Sequence, residues 1–250
     1  MSATSWQGAV LIRPGVFAFT GTIGPTDTHA HHAVQLMAAR DAMTVVAADD
    51  SRGTGTQFVI PADASHRIER GADNGVVVFL DPESAAGHAA QLRARSLGWT
   101  SGAPLIPHAA DELGLDRLVS AVLETLAPDG EHTAATPRHP AVQHALDLLP
   151  ELVAGGTVGT ADIAARAGLS TSRLTHLFSA QVGLPLRRYA LWLRLTLAIA
   201  EVAAGRDLTR AAHAAGFSDS AHLTRTCREN FGLAPSALSR NVHWHITHSL

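Results

Sequence analysis

The sequence predicts an α+β protein, with an N-terminal β-barrel followed by an all-α domain that repeats one helical unit. Three observations carry this expectation. Residues 8–80 hold short β-branched or aromatic runs separated by Gly, Pro, Asp and Asn. From Pro140 onward the pattern is helical and contains an approximate internal duplication. Charge is also divided: residues 1–137 carry 8 Arg against 15 acidic residues, and residues 138–250 carry 11 Arg against 7.

The strand expectation rests on "AVLIR", "VFAFTG", "AVQLMAA", "MTVVAAD", "QFVIP" and "GVVVFLD". Runs of this length with turn residues between them suit an antiparallel barrel or sandwich, assigned to residues 1–81. From Pro82 the period changes. "PESAAGHAAQLRARSL" and "HAADELGLDRLVSAVLETLA" have helical spacing and define a helical segment over 82–127. Its apolar residues Leu92, Leu97, Leu115, Leu118, Val119, Val122, Leu123 and Leu126 either form a homodimer seam or cover the barrel. Residues 128–139 read as a linker by composition, residues 140–240 as the all-α domain, and residues 241–250 as a His-rich tail. In that tail His243, His245 and His248 are expected to lie on a frayed end.

The duplication is specific. "ADIAARAGLSTSRLTHLFSAQVG" and "TRAAHAAGFSDSAHLTRTCRENFG" share a short Ala-rich helix, then Gly, an apolar residue and Ser, then an amphipathic helix ending in Gly. This is a double helix–turn–helix pattern. Ala164 and Ala212 are small enough for two helices to cross closely. Gly168 and Gly216 permit a left-handed turn. Leu169 and Phe217 fill the core beneath it. Ser170 or Thr171, and Ser218 or Asp219, can cap the second helix. Leu174, Leu177 and Phe178, then Leu223, Cys227 and Phe231, are the expected buried faces. Ser172, Arg173, Thr175 and His176, then Ala221, His222, Thr224 and Arg225, are the expected open faces and candidate DNA-binding residues. Between the copies "PLRRYALWLRLTLAIAEVAA" makes a helix of about 30 Å, comparable with the ~34 Å turn of B-DNA.

The block from "IAARAGLS" to "FGLAPSAL" resembles the DNA-binding domain of the AraC/XylS transcriptional regulators. The resemblance covers residues 140–240, including Tyr189, the run Arg194 to Ala198, "GFSDSAHLTR" and the closing "FGLAPS". It departs from the family at His176, where Arg is frequent, and at Cys227, where Phe is usual. The resemblance implies base or phosphate contacts from Arg173, Thr175 and His176 in the first recognition helix and from His222 and Arg225 in the second. It also implies an N-terminal sensor, often cupin-like.

The stretch "THAHHAVQ" bears on that sensor. Residues two apart on an extended chain share a face, so His29, His31 and Gln35 point one way and His32 the other. Gly24, His29, His31 and Gln35 resemble the first cupin motif, with Gln where its enzymes carry a carboxylate. "PADASH" resembles the second motif, with Asp63 in place of Gly and His66 as its histidine. Barrel closure would bring His66 to His29 and His31. That set suits Zn, Ni, Fe or Cu, an organic effector, or hydrogen-bonded structural histidines.

Composition narrows the function class. All 19 basic residues are Arg, and the single Cys227 excludes an intrachain disulfide and a cysteine-based zinc site,. "MSATSWQGAVLIRPG" lacks the pattern of a secretory signal, and no 18-residue apolar run appears, so a cytoplasmic location is expected. "SRGTGTQ" lacks the Lys-Ser/Thr of a phosphate loop. No catalytic residues are assigned. The sequence therefore predicts a sequence-specific regulator of duplex DNA, dimeric and able to contact RNA polymerase, whose barrel senses a metal or small molecule. The competing reading is a cupin-type metal-dependent enzyme with a helical oligomerisation module.

Overall fold

In the computed structural model, the described residues are 6–13, 15–100, 106, 114–127, 138–156, 159–235 and, as backbone alone, 242–246. Among these residues seven strands form one sheet: β1 (Gln7–Arg13), β2 (Val16–Ile23), β3 (Val34–Ala47), β4 (Arg52–Ile60), β5 (His66–Arg70), β6 (Ala72–Leu80) and β7 (Val242–Ile246). Their order is β4-β3-β6-β2-β1-β7, with β5 paired to β3 off this path.

The expected barrel is coarser in the structure than in the sequence reading. The sheet is open among the described residues, because the outer edge of β1 is taken by β7, in parallel, rather than by β4 or β5. That pairing also corrects the expectation of a frayed tail over Val242–Ile246. His248 lies outside the described residues, as does most of the linker at 128–139.

The long strand β3 absorbs two runs that the sequence separates. It pairs with β4 on both sides of a register shift between Ala38 and Met43. Its first half also pairs with β6 and its second half with β5. The bulge lets one strand change partners without breaking.

The side-chain alternation sorts the sheet into two faces. Leu11, Ala18, Val78, Leu36 and Val59 are register neighbours across β1, β2, β6, β3 and β4. They pack against two helices, α1 (Ala85–Leu97) and α2 (Leu115–Leu126). Ala86, Ala90 and Ala94 of α1 and Leu118, Val119 and Val122 of α2 are buried there. Most of the apolar stripe of α2 thus covers the sheet, while Leu92 and Leu97 of α1 remain exposed. Arg13 ties β1 to α2 through an ion pair with Asp116 and a hydrogen bond from Nη1 to Ser120 Oγ of 3.2 Å. One residue along, Ile12, Phe17, Phe79, Gln35 and Ile60 form the neighbouring row on the opposite face. Gln35 is the polar member of that row and is 2% exposed.

The helical unit comprises residues 134–226, while the sheet unit takes in residues 1–133 and the chain from Cys227 onward. The helical elements are α3 (Pro140–Ala154), α4 (Thr160–Arg166), α5 (Thr171–Val182), α6 (Leu186–Ala203), α7 (Leu208–Ala214) and α8 (Ser220–Phe231). Pro140 sits in the first turn of α3, where its missing N–H costs nothing. Val142, Leu149, Ile163, Leu174 and Phe178 are buried together with Tyr189 around the first helix–turn–helix. The Phe178 and Tyr189 rings meet edge to face at 5.7 Å.

Candidate functional site

Two groups of residues carry chemistry. The first is the repeated helix–turn–helix, with α5 and α8 as its second helices. At both turns the glycine is left-handed, with φ of +70° at Gly168 and +76° at Gly216. At each, the residue after the glycine donates its N–H back to the small alanine, Leu169 to Ala164 and Phe217 to Ala212, both at 2.9 Å. A Cβ on Gly168 would meet nothing within 4 Å, so the glycine is required there by conformation, not by space. Ser170 Oγ accepts the Arg173 N–H at the start of α5, and Asp219 Oδ1 accepts the His222 N–H at the start of α8 at 2.7 Å.

Leu174, Phe178, Leu223, Cys227 and Phe231 are buried and Leu177 is half-buried. Burial pushes the Cys227 thiol up to about 12, which leaves it an inert packing group. Ser172, Arg173, His176, Ala221 and Arg225 are exposed, and Thr175, His222 and Thr224 are half-buried. Thr175 and Thr224 bond back to backbone carbonyls of their own helices. The helix between the copies, α6, has 18 residues and so spans about 27 Å, two residues short of the sequence reading.

The second group is the histidine cluster. The residues around His29 do not form the continuous strand that the sequence suggested; His29 makes an isolated bridge to His66, and β3 begins only at Val34. The loop before β3 and the start of β5 nevertheless bring His29, His31, Gln35 and His66 together. Ring centroids lie 4.3 Å apart for His29 and His66, 5.3 Å for His31 and His66, and 5.6 Å for His29 and His31. One nitrogen of each falls within 4.8 Å of those of the others.

The ring orientation is set by the backbone. Nδ1 of His29 faces Asp27 O at 2.8 Å, Nδ1 of His31 faces Ala33 O at 3.0 Å, and Nδ1 of His66 faces Ala64 O at 2.8 Å. A carbonyl only accepts, so in each ring Nδ1 carries the hydrogen and Nε2 keeps a lone pair. The end of the Gln35 carboxamide lies 2.9 Å from Nε2 of both His31 and His66. Two lone pairs need a donor. The amide is therefore read with its NH2 group, which has two hydrogens, between the rings.

Burial drives the His29 pKa down to about 4, helped by the neighbouring His31. His31 is lowered mainly by burial. His66 is lowered well below its usual value by burial and by both other histidines. The cluster is thus neutral at pH 7. His32 turns away, with Nδ1 2.9 Å from Asp63 Oδ2. Asp63 itself has φ of +63°, the backbone that the expected glycine would supply and that Asp tolerates better than most residues.

Sequence reasoning missed the Phe79 and Trp99 rings, 5.1 Å from His31 and 6.3 Å from His66, and three neighbours in the stretch from Cys227 on that belongs to the sheet unit. Ala30 N–H donates to Glu229 O at 3.2 Å, and Asp27 N–H donates to Gly232 O at 3.0 Å. The Phe231 ring lies 6.4 Å from His31 and 5.6 Å from Phe79. A Cβ on Gly232 would fall 2.7 Å from His29 Nδ1 and 2.5 Å from Asp27 O. The available signal was Gly232 itself, read only as a helix terminator.

The chain matches the helix-turn-helix domain family over residues 163–241. No curated protein matches it. Among solved structures it is similar to an AraC-type transcriptional regulator from Chromobacterium violaceum, with 28% identity over 40% of this chain and 89% of that one and a TM-score of 0.38. ToxT from Vibrio cholerae O395 is similar over 90% of this chain and 96% of its own, with 11% identity and a TM-score of 0.55. ToxT from Vibrio cholerae strain SCE256 bound to an unsaturated fatty acid is similar over 96% and 98%, with 10% identity and a TM-score of 0.51. The likeness to ToxT is one of fold, from sheet-rich N-terminal region to helical C-terminal region. Among the described residues no helix is long and apolar enough to cross a membrane.

Proposed function

From the match of residues 163–241 to the helix-turn-helix domain family, we propose that the protein is a cytoplasmic, sequence-specific transcriptional regulator of the AraC type whose sheet unit senses an effector. The observation that carries it is the paired turn, built twice with the same glycine geometry and the same back-bonded alanine. An oligomerisation bundle has no need of that repetition, which disfavours the enzyme reading. α5 and α8 enter successive major grooves, with Arg173, Ser172, Thr175 and His176 on the first and Ala221, His222, Thr224 and Arg225 on the second.

The effector site is His29, His31, Gln35 and His66 within a cupin-like sheet. A divalent transition metal fits the donor set. One nitrogen of each of three neutral imidazoles lies within 4.8 Å of the others' while Nδ1–H is held by carbonyls, the outer-shell arrangement typical of metal-bound histidine. Zn, Ni, Fe or Cu suits such nitrogens, and Gln35 would turn aside to admit it. An organic effector is the second reading, favoured by the Phe17, Phe79 and Phe231 rings packed together beside the cluster. Coupling is reciprocal, so DNA changes effector affinity by the factor by which effector changes DNA affinity. Homodimerisation over Leu92 and Leu97 and contact with RNA polymerase complete the proposal.

The test is the affinity of the full chain for its own upstream DNA, before and after chelation and with Zn, Ni, Fe or Cu restored singly. A steep loss of affinity with salt is expected. Metal sensing predicts a change on chelation that one metal reverses and that His31→Ala abolishes. No change selects the organic reading, and absence of specific binding to duplex DNA overturns the regulator.

A further inference from the structure

The second recognition helix carries one side chain whose hydrogen-bonding sense is set before DNA arrives. Asp219 caps α8 with Oδ1, and its Oδ2 lies 3.1 Å from Ser218 Oγ. The backbone N–H of His222 holds the Asp219 carboxyl below the usual range, and a carboxylate can only accept. The Ser218 hydroxyl hydrogen therefore points at Asp219. That leaves a lone pair of Ser218 Oγ facing His222 Nδ1 at 3.2 Å. Two lone pairs cannot bond, so Nδ1–H of His222 donates to Ser218. A neutral imidazole has one N–H, and Nε2 is left as an acceptor. The buried Phe217 ring meets the imidazole edge-on at 5.1 Å and fixes its plane.

We propose that Asp219 and Ser218 set His222 as a hydrogen-bond acceptor that reads an exocyclic amino group, adenine N6 or cytosine N4, in the major groove. This deepens the DNA-binding reading and rests on it. His222 lies in the first turn of α8, the part of a recognition helix that reaches base edges. Arg225 follows three residues later on the same helix face. It offers donors only, which suit guanine O6 and N7. The helix thus presents an acceptor and a donor side by side, and together they select a step carrying an amino group next to a carbonyl. Asp219 and Ser218 are positioning residues, since they act on DNA through His222.

Two measurements test this. The first needs no DNA: imidazole 15N spectra of the full chain, with the His222 signal among the 15 histidines identified by its loss in His222→Gln. The expected pattern is a protonated Nδ1 in wild type and in Ser218→Thr, and a shift toward a protonated Nε2 in Ser218→Ala. A protonated Nε2 in wild type overturns the proposal whatever the DNA does.

The second is selection from a random-sequence duplex pool. Each adenine of the selected site is then replaced by 2-aminopurine, which moves the amino group out of the major groove, and each cytosine by thymine opposite adenine. At one position wild type should lose roughly tenfold in affinity, the size of one hydrogen bond, and His222→Ala should lose nothing further there. Enrichment of a site without any such His222-dependent position overturns this inference alone. Failure to enrich any sequence overturns the DNA-binding reading and this inference with it.

Discussion

Acidifying the metal-free protein should weaken its fold through the histidine cluster, and the size of the effect follows from the structure. His29 is 6% exposed, and its pKa falls from 6.5 in the unfolded chain to about 4 in the fold. Between those values the unfolded chain binds the proton and the folded one does not. Stability is therefore complete above pH 6.5, falls as pH drops below it, and reaches its floor near pH 4. At about 1.4 kcal/mol per pKa unit the full loss is ~3 kcal/mol, of which ~2 kcal/mol has gone by pH 5. His31 and His66 are lowered too and add in the same direction. Urea unfolding of chelator-treated protein at pH 7, 6 and 5 measures this, with His29→Asn as the reference for every other titrating group. Wild type should lose ~2 kcal/mol more than the variant between pH 7 and 5. Parallel losses in the two proteins would refute the reasoning, because the proton would then not be excluded at His29.

Other expectations follow from single contacts. Gln35→Leu removes the donor shared by two buried imidazoles and should cost about 2–4 kcal/mol, read as a drop in thermal midpoint; a loss below ~1 kcal/mol would mean that the NH2 group does not lie between the rings. Gly232→Ala must fit a methyl 2.5 Å from Asp27 O at φ of +67°, whereas Gly168→Ala meets only the left-handed backbone penalty of ~1–2 kcal/mol. The Gly232 variant should be the less stable of the two by thermal unfolding, and equal losses would count against the close approach. Arg225→Ala should abolish specific duplex binding in a gel-shift titration while far-ultraviolet circular dichroism and thermal midpoint stay unchanged; retained operator affinity would remove Arg225 from the recognition surface.

The helical half was legible because its sequence repeats a local device. Turn glycine, capping residue and small alanine all act within a few positions of one another, so spacing alone places them. The sheet was legible in its runs but not in its partners. β5 escaped because "HRIER" has Ile68 as its sole apolar residue, and its place depends on β3 and on a bridge to His29. β3 read as two strands because the polar pair Arg40 and Asp41 interrupts it, and only the bulge shows that pairing resumes. The histidine site was legible as a set of residues, since two motifs named His29, His31 and His66. The role of Gln35 as a hydrogen-bonding hub depends on how the loop before β3 folds against the start of β5, and the approach of Phe231 and Gly232 on contacts across about 200 positions of sequence; no local pattern encodes either.

The parallel pairing of β7 with β1 has a consequence for how the chain is made. The sheet unit is assembled from both ends of the sequence, with the helical unit lying between them as an insertion. During synthesis, β1 through β6 leave the ribosome long before residues 242–246, so the edge of β1 must wait uncovered while the helical unit folds. Open strand edges recruit other chains, and contacts between distant residues form slowly. Cutting the chain at Arg240, a natural choice when the tail is taken for a loose end, would make that waiting state permanent and yield a protein prone to aggregate.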